Sequence, residues 1–136
     1  MALPTKAVNQ GQAPIFVDNR GSLTAFETAY EVPFDIKRVF VVHDVNGERG
    51  GHAHLKTNQV LFPVGGTLSV RTFDGNKWMD FRLVKPSDFL FIPPMVYLKL
   101  QKFSKGASCV VLADSFYDKS QTLGTVEEFK SALRNC

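Results

Sequence analysis

The chain has 136 residues and a mass of 15.2 kDa, room for one substantial core and too little for two ordinary domains. Hydrophobic residues at 44% and charged residues at 21% exclude intrinsic disorder and fibrous repeats. A net charge of +3, from 16 Lys and Arg against 13 Asp and Glu scattered along the chain, argues against DNA or RNA as a partner and fits a small anion such as a nucleotide.

A single domain over 1–136 is expected, with 1–13 a loosely ordered arm because that stretch has no periodicity. The start lacks the basic segment and apolar run of a secretory signal, and no window is long enough to cross a bilayer, so a soluble cytoplasmic protein is expected. Ile15 to Glu27 reads as a hairpin, with turn chemistry at Asp18-Asn19-Arg20-Gly21 between β-prone runs. Val32-Pro33-Phe34 is a connector, and Lys37 to Asp44 a strongly apolar strand ended by Asn46-Gly47. Further strands are expected over Gln59–Val64, Thr67–Phe73, Trp78–Leu83, Phe89–Ile92, Val96–Leu100 and Ser108–Ala113, with Asp74-Gly75-Asn76 as a hairpin turn. Eight to ten short strands separated by turns predict an all-β sandwich or barrel. At the end, Thr125-Val126-Glu127-Glu128 fits a capping box ahead of Val126, Phe129 and Leu133 at helical spacing, predicting a helix over about 126–134. Lys99, Lys102 and Lys105 read as a solvated, protective sheet edge. Cys109 and Cys136 make no disulfide framework and are read as reduced thiols.

Chemistry concentrates in Arg49-Gly50-Gly51-His52-Ala53-His54. His52 and His54 are two of only three histidines, and on a strand residues two apart face the same side. Imidazole titrates near neutrality and can both take and give a proton. Two of them between glycines and beside Arg49 are hard to explain as packing, because a buried imidazole needs a partner for each polar atom. His43 is the remaining imidazole and is read as a pocket, substrate-binding residue, narrowly over the burial that Val39 and Val41 on its face suggest. Gln59 is suited to orienting a histidine or bonding a ligand hydroxyl, and Arg20 and Tyr97 are candidate substrate contacts. Two histidines with a neutral amide make a poor metal site, so no metal and no cofactor are expected.

The run Gly51-His52-x-His54 followed by Gln59 and Gly66 resembles the first motif of the cupin superfamily, with Gln59 in place of the metal-binding glutamate and no histidine in Pro93 to Leu98. Resemblance extends from Asp18-x-Arg20-Gly21-x-Leu23 through Arg49-Gly50-x-His52-Ala53-His54, Gln59-Val60-Leu61 and Asp74-Gly75 to Val111-Leu112-Ala113-Asp114-Ser115-x-Tyr117-Asp118, which looks like the sugar 3,4-ketoisomerases. That resemblance implies a cupin jelly roll and a homodimer with exchanged N-terminal strands. It also implies a cofactor-free isomerase that moves the ketone of dTDP-4-keto-6-deoxyglucose from C4 to C3, for the deoxyamino sugars of surface polysaccharides. His52 and His54 would divide the proton abstraction and return, and Arg49 would face the developing oxyanion or the diphosphate. The chain departs from the family pattern at His43 and at Tyr97-Leu98, where the pattern has Trp-His. A dTDP-sugar epimerase, a non-catalytic sugar-nucleotide-binding cupin and a metal-dependent cupin oxygenase are the alternatives.

Overall fold

The computed structural model describes residues 7–135. Its strands are β1 (Asn9–Gln12), β2 (Ile15–Asp18), β3 (Gly21–Thr24), β4 (Arg38–Val42), β5 (Arg49–His54), β6 (Gln59–Val64), β7 (Leu68–Phe73), β8 (Trp78–Leu83), β9 (Asp88–Ile92), β10 (Tyr97–Gln101), β11 (Ser108–Ala113) and β12 (Thr122–Leu123), followed by the helix α1 (Val126–Arg134). Two five-stranded antiparallel sheets, ordered β1-β9-β6-β11-β4 and β12-β5-β10-β7-β8, form a sandwich, and β2-β3 stand apart as a two-stranded hairpin. Setting aside the flanking β1 and β12, the orders 4-11-6-9 and 5-10-7-8 are those of a jelly roll, the expected fold.

Alternation along the strands divides the apolar residues among three layers. Between the sheets lie Leu61, Leu68, Val70, Leu83, Leu90, Ile92, Leu98, Leu100, Cys109 and Val111, all buried. The opposite face of the first sheet, with Val60, Phe91 and Leu112, is covered by Val32 and by Phe26, Phe34 and Ile36. On the outside of the second sheet, Ala53, Phe73 and Tyr97 are sealed by Phe129 of α1. Thr125 caps this helix by accepting from Glu128 N–H at 3.0 Å, while the Glu128 carboxylate reaches back to Gly124 N–H at 3.1 Å.

Three expectations change here. From Asn9 to Gln12 the arm is a strand paired with β9, while residues 1–6 lie outside the described residues, as does Cys136. Val39 and Val41 are 58% and 49% exposed, because Arg38, Phe40 and Val42 are the inward set of β4 and the chain turns at Asp44 with φ +52°. Lys99 lies on β10, between β5 and β7, and therefore on no sheet edge.

Candidate active site

The site forms between the sheets where β4, an edge strand of the first, and β5, which only the two-residue β12 borders on its outer side, line one cavity. On β5, His52 pairs with Leu98 and Ala53 with Tyr97, but the next pairs are Gly50 with Lys99 and Arg49 with Leu100, so one residue of β5 is extra. That residue is Gly51, at φ +72°, a conformation that favours glycine and marks a bulge. The bulge reverses the alternation on β5. Arg49, which simple parity would set opposite His52, sits across from the inward Leu100 and lines the same cavity as His52. A Cβ on Gly51 would also lie 3.2 Å from the Tyr97 hydroxyl.

This cavity, about 340 Å³, falls within the range of small-molecule sites. Its polar lining comes from His43, Arg49, His52 and Gln59, and its apolar wall includes Phe40, Leu61, Leu98, Leu100 and Val111. The His52 and His54 rings meet edge to face with centroids 5.0 Å apart, as the two-residue spacing predicts. Gln59 enters from β6 in the facing sheet, 3% exposed, with its amide nitrogen 3.2 Å from His54 Nε2. An amide N–H only donates, so His54 Nε2 accepts and its proton sits on Nδ1. Burial, then the neighbouring His52 and Arg38, push the His54 pKa down to about 4, so this imidazole is neutral at pH 7.

The connection between β5 and β6 is held by Asp114, whose carboxylate accepts from Asn58 N–H at 2.9 Å and from the Asn58 amide at 2.8 Å. Thr57 and Ser115 hydroxyls meet at 2.6 Å beside it. The Ala113-Asp114-Ser115 motif thus acts on the site by fixing the turn that presents His54 and Gln59 to one another.

The other sequence-predicted residues separate. His43 lies at the cavity mouth, exposed, with Nδ1 2.7 Å from the Asp44 carboxylate. Tyr97 does not reach the cavity: alternation sends it to the outer face under α1, and Leu98 takes the inward place opposite His52. Arg20 is not brought to the histidines either; it stands on the β2-β3 turn, 87% exposed, paired with Asp18 at 2.6 Å. Sequence reasoning missed Arg38, whose signal was its parity with the inward Phe40 and Val42 on β4. Among the described residues no group of three His, Cys, Asp or Glu side chains is placed to hold a metal ion. The metal set of the cupin fold does not fit, since Gln59 stands at the carboxylate position and donates to the imidazole nitrogen a metal would need.

Residues 7–134 match the family described as FdtA, WxcM-like, C-terminal. The chain belongs to this family. Relatives of this FdtA-family chain include the TDP-4-oxo-6-deoxy-alpha-D-glucose-3,4-oxoisomerase of Aneurinibacillus thermoaerophilus, 38% identical over 119 residues and covering 86% of each chain. A 3,4-ketoisomerase from Helicobacter canadensis superposes with a TM-score of 0.91 at 32% identity, over 96% of this chain and 99% of that one. A variant of the 3,4-ketoisomerase QdtA from Thermoanaerobacterium thermosaccharolyticum, solved with TDP-4-keto-6-deoxyglucose, superposes with a TM-score of 0.89 at 28% identity, over 94% of both chains.

Proposed function

We propose that this protein is a 3,4-ketoisomerase that converts TDP-4-keto-6-deoxyglucose to its 3-keto isomer without a cofactor. The observation that carries the reading is the pair of imidazoles in ring contact, of which His52 lines a sugar-sized cavity, in a chain of the FdtA family. The isomerisation moves two protons and no net electrons, so acid–base groups suffice. A base removes the proton on C3, the C4 carbonyl becomes the oxygen of an enediolate, and a proton returned to C4 leaves the ketone at C3 while the O3 proton passes to O4.

His52 is the group for carbon proton transfer. His54 is held neutral and is too weak a base at a pKa of about 4 to compete for that proton, so its role is to orient His52 through their ring contact. Arg49, brought to the inner face by the Gly51 bulge, adds fixed positive charge at the developing oxyanion. Leu61, Leu98, Leu100 and Val111 give the C6 methyl group an apolar wall. A 3-keto product is the form that amination at C3 consumes, which fits supply of deoxyamino sugars.

The same reading includes a homodimer. Phe16, Val17 and Leu23 on the β2-β3 hairpin are 60%, 73% and 60% exposed, and Val39 and Val41 on the outer face of β4 are uncovered, apolar surface that a second copy would bury. Arg20 then acts, if at a sugar nucleotide, from one protomer on its partner's site. The setting is cytoplasmic, where nucleotide sugars are made.

Incubation with TDP-4-keto-6-deoxyglucose in D₂O, followed by NMR, tests the reaction. Deuterium at C4 with a carbonyl at C3 is expected. Exchange at C5 would mean epimerisation, and binding without exchange a non-catalytic module.

A further inference from the structure

Two imidazoles line the larger cavity from opposite sheets: His52 on β5 of the second sheet, and His43 on the segment that follows β4 of the first. The His43 Nδ1 lies 2.7 Å from the Asp44 carboxylate, which only accepts, so Nδ1 carries a proton and Nε2 is left as the exchangeable position. That carboxylate is placed by a left-handed turn at Asp44, φ +52°, a conformation that aspartate adopts more readily than most residues. Among the described residues lining this cavity, His43 and His52 are the two able to hand over a proton near neutral pH. Arg49 keeps its charge and Gln59 is an amide, while the rest of the lining, including the Leu98 opposite His52, is apolar. The His43 side chain is 63% exposed, in touch with the solvent that would renew its proton.

We infer that His43 returns the proton to C4 from the ring face opposite the one His52 works on, and so sets the configuration of the product. The inference rests on the ketoisomerase reading and adds to it a second acid and a stereochemical outcome. Once His52 has taken the C3 proton, C4 of the planar enediolate can be protonated on either face. A hexose lying between the sheets turns one face to His52 and the other to His43. In the gluco-configured substrate the C3 hydrogen is axial on one face. A proton reaching C4 on that same face leaves O4 axial, and one reaching it on the opposite face leaves O4 equatorial. His43 supplies the second kind. With the O3 proton passed to O4, the O3 lone pair re-forms a carbonyl at C3 and the C3=C4 electron pair takes the Nε2 proton, while the N–H electrons stay on the ring. His43 then recovers a proton from water and His52 gives its own to water, so the hydrogen lost from C3 and the hydrogen gained at C4 are different atoms.

Substrate deuterated at C3 and turned over in ordinary water, with NMR of the product, gives one readout. An equatorial O4 is expected, seen as a large coupling between the axial hydrogens on C4 and C5, with no deuterium at C4. An axial O4, or C3 deuterium carried over to C4, assigns both transfers to His52 and overturns the inference while leaving the ketoisomerase reading standing. His43→Gln, at an exposed position, gives the other readout. In D₂O this variant should still exchange the C3 hydrogen of the substrate through His52, while formation of the 3-keto product falls by about 10²- to 10⁴-fold. Product formation at the wild-type rate overturns the assignment, and so does an equal loss of exchange and product, the pattern of a merely structural residue. Wild-type protein that gives neither exchange nor product overturns the ketoisomerase reading as well.

Discussion

The Gln59 amide nitrogen lies 3.2 Å from His54 Nε2, joining a residue of one sheet to a residue of the other across the mouth of the sandwich. A carboxylate at position 59 would stabilise an imidazolium, whereas the amide N–H as oriented donates to a neutral ring whose proton is on Nδ1. Gln59→Glu should therefore raise the His54 pKa from about 4 toward or above the ordinary histidine value. Nitrogen NMR of the labelled imidazole reads this directly, and an unchanged titration would refute the tautomer assignment. Activity should fall with it, because a charged His54 repels the positive form of His52.

The two imidazoles should be unequal under substitution. His52→Gln removes the group assigned to carbon proton transfer and should lower kcat by about 10²- to 10⁴-fold, with TDP affinity retained. His54→Gln, which keeps a hydrogen-bonding side chain in place of a neutral ring, should cost less. Deuterium wash-in at C4 measured for both variants checks the order; a larger loss at His54 would reverse the assignment.

Much of the frame was legible because its signals are local. Asp74-Gly75 between β-prone runs ends in a turn where Asp74 accepts from Asn76 and Lys77 N–H at 2.8 and 3.0 Å, and β8 and β11 run as the pattern indicates. The strand β1 was not legible: Asn-Gln-Gly-Gln has no apolar alternation, and its conformation comes from pairing with β9, where Gly11 leaves room for the Phe89 ring. At the site, the shared face of His52 and His54 followed from period two, and the same rule separates Tyr97 from Leu98. Arg49 and Arg20 could not be placed by that rule. One depends on a bulge, signalled only by Gly50-Gly51, and the other stands on the turn of a hairpin that pairs with neither sheet.

The bulge makes a prediction of its own. Gly51→Ala forces a side chain into φ +72° and against the Tyr97 hydroxyl, a strain of about 1–3 kcal/mol. If β5 relieves that strain by losing the bulge, Arg49 leaves the inner face. The expected result is a modest fall in melting temperature with a disproportionate fall in kcat/KM. Adding Tyr97→Phe should not rescue activity, since the backbone rather than the hydroxyl contact dominates; full rescue would show that the clash alone mattered.

Stability should depend on pH through His54. Its folded pKa, about 4, lies below the unfolded value near 6.5, so between these values the unfolded chain binds more protons than the folded one. Stability is therefore greatest above pH 6.5, falls as the pH drops toward 4 with a limiting slope of about 1.4 kcal/mol per pH unit reduced by solvent screening, and loses nothing further through this group below that. Denaturant melts at pH 7, 5.5 and 4.5 should show the decline, and His54→Gln should remove its share; identical slopes in variant and wild type would count against a buried neutral imidazole.

The helix α1 ties the site to the opposite side of the sheet. Phe129 is fully buried against Ala53, Phe73 and Tyr97, and Ala53 is the residue between the two histidines. Phe129→Ala should cost about 3–5 kcal/mol, the usual range for emptying a buried phenylalanine site. Because the cavity opens beneath β5, the loss should also loosen the His52 and His54 backbone, read as faster amide hydrogen exchange at Ala53 than at Val111 on β11 of the facing sheet. Phe129→Leu, which refills most of the space, should recover both the stability and the protection. If Phe129→Ala lowers stability but leaves exchange at Ala53 unchanged relative to Val111, α1 contributes to the global fold without holding the histidine strand.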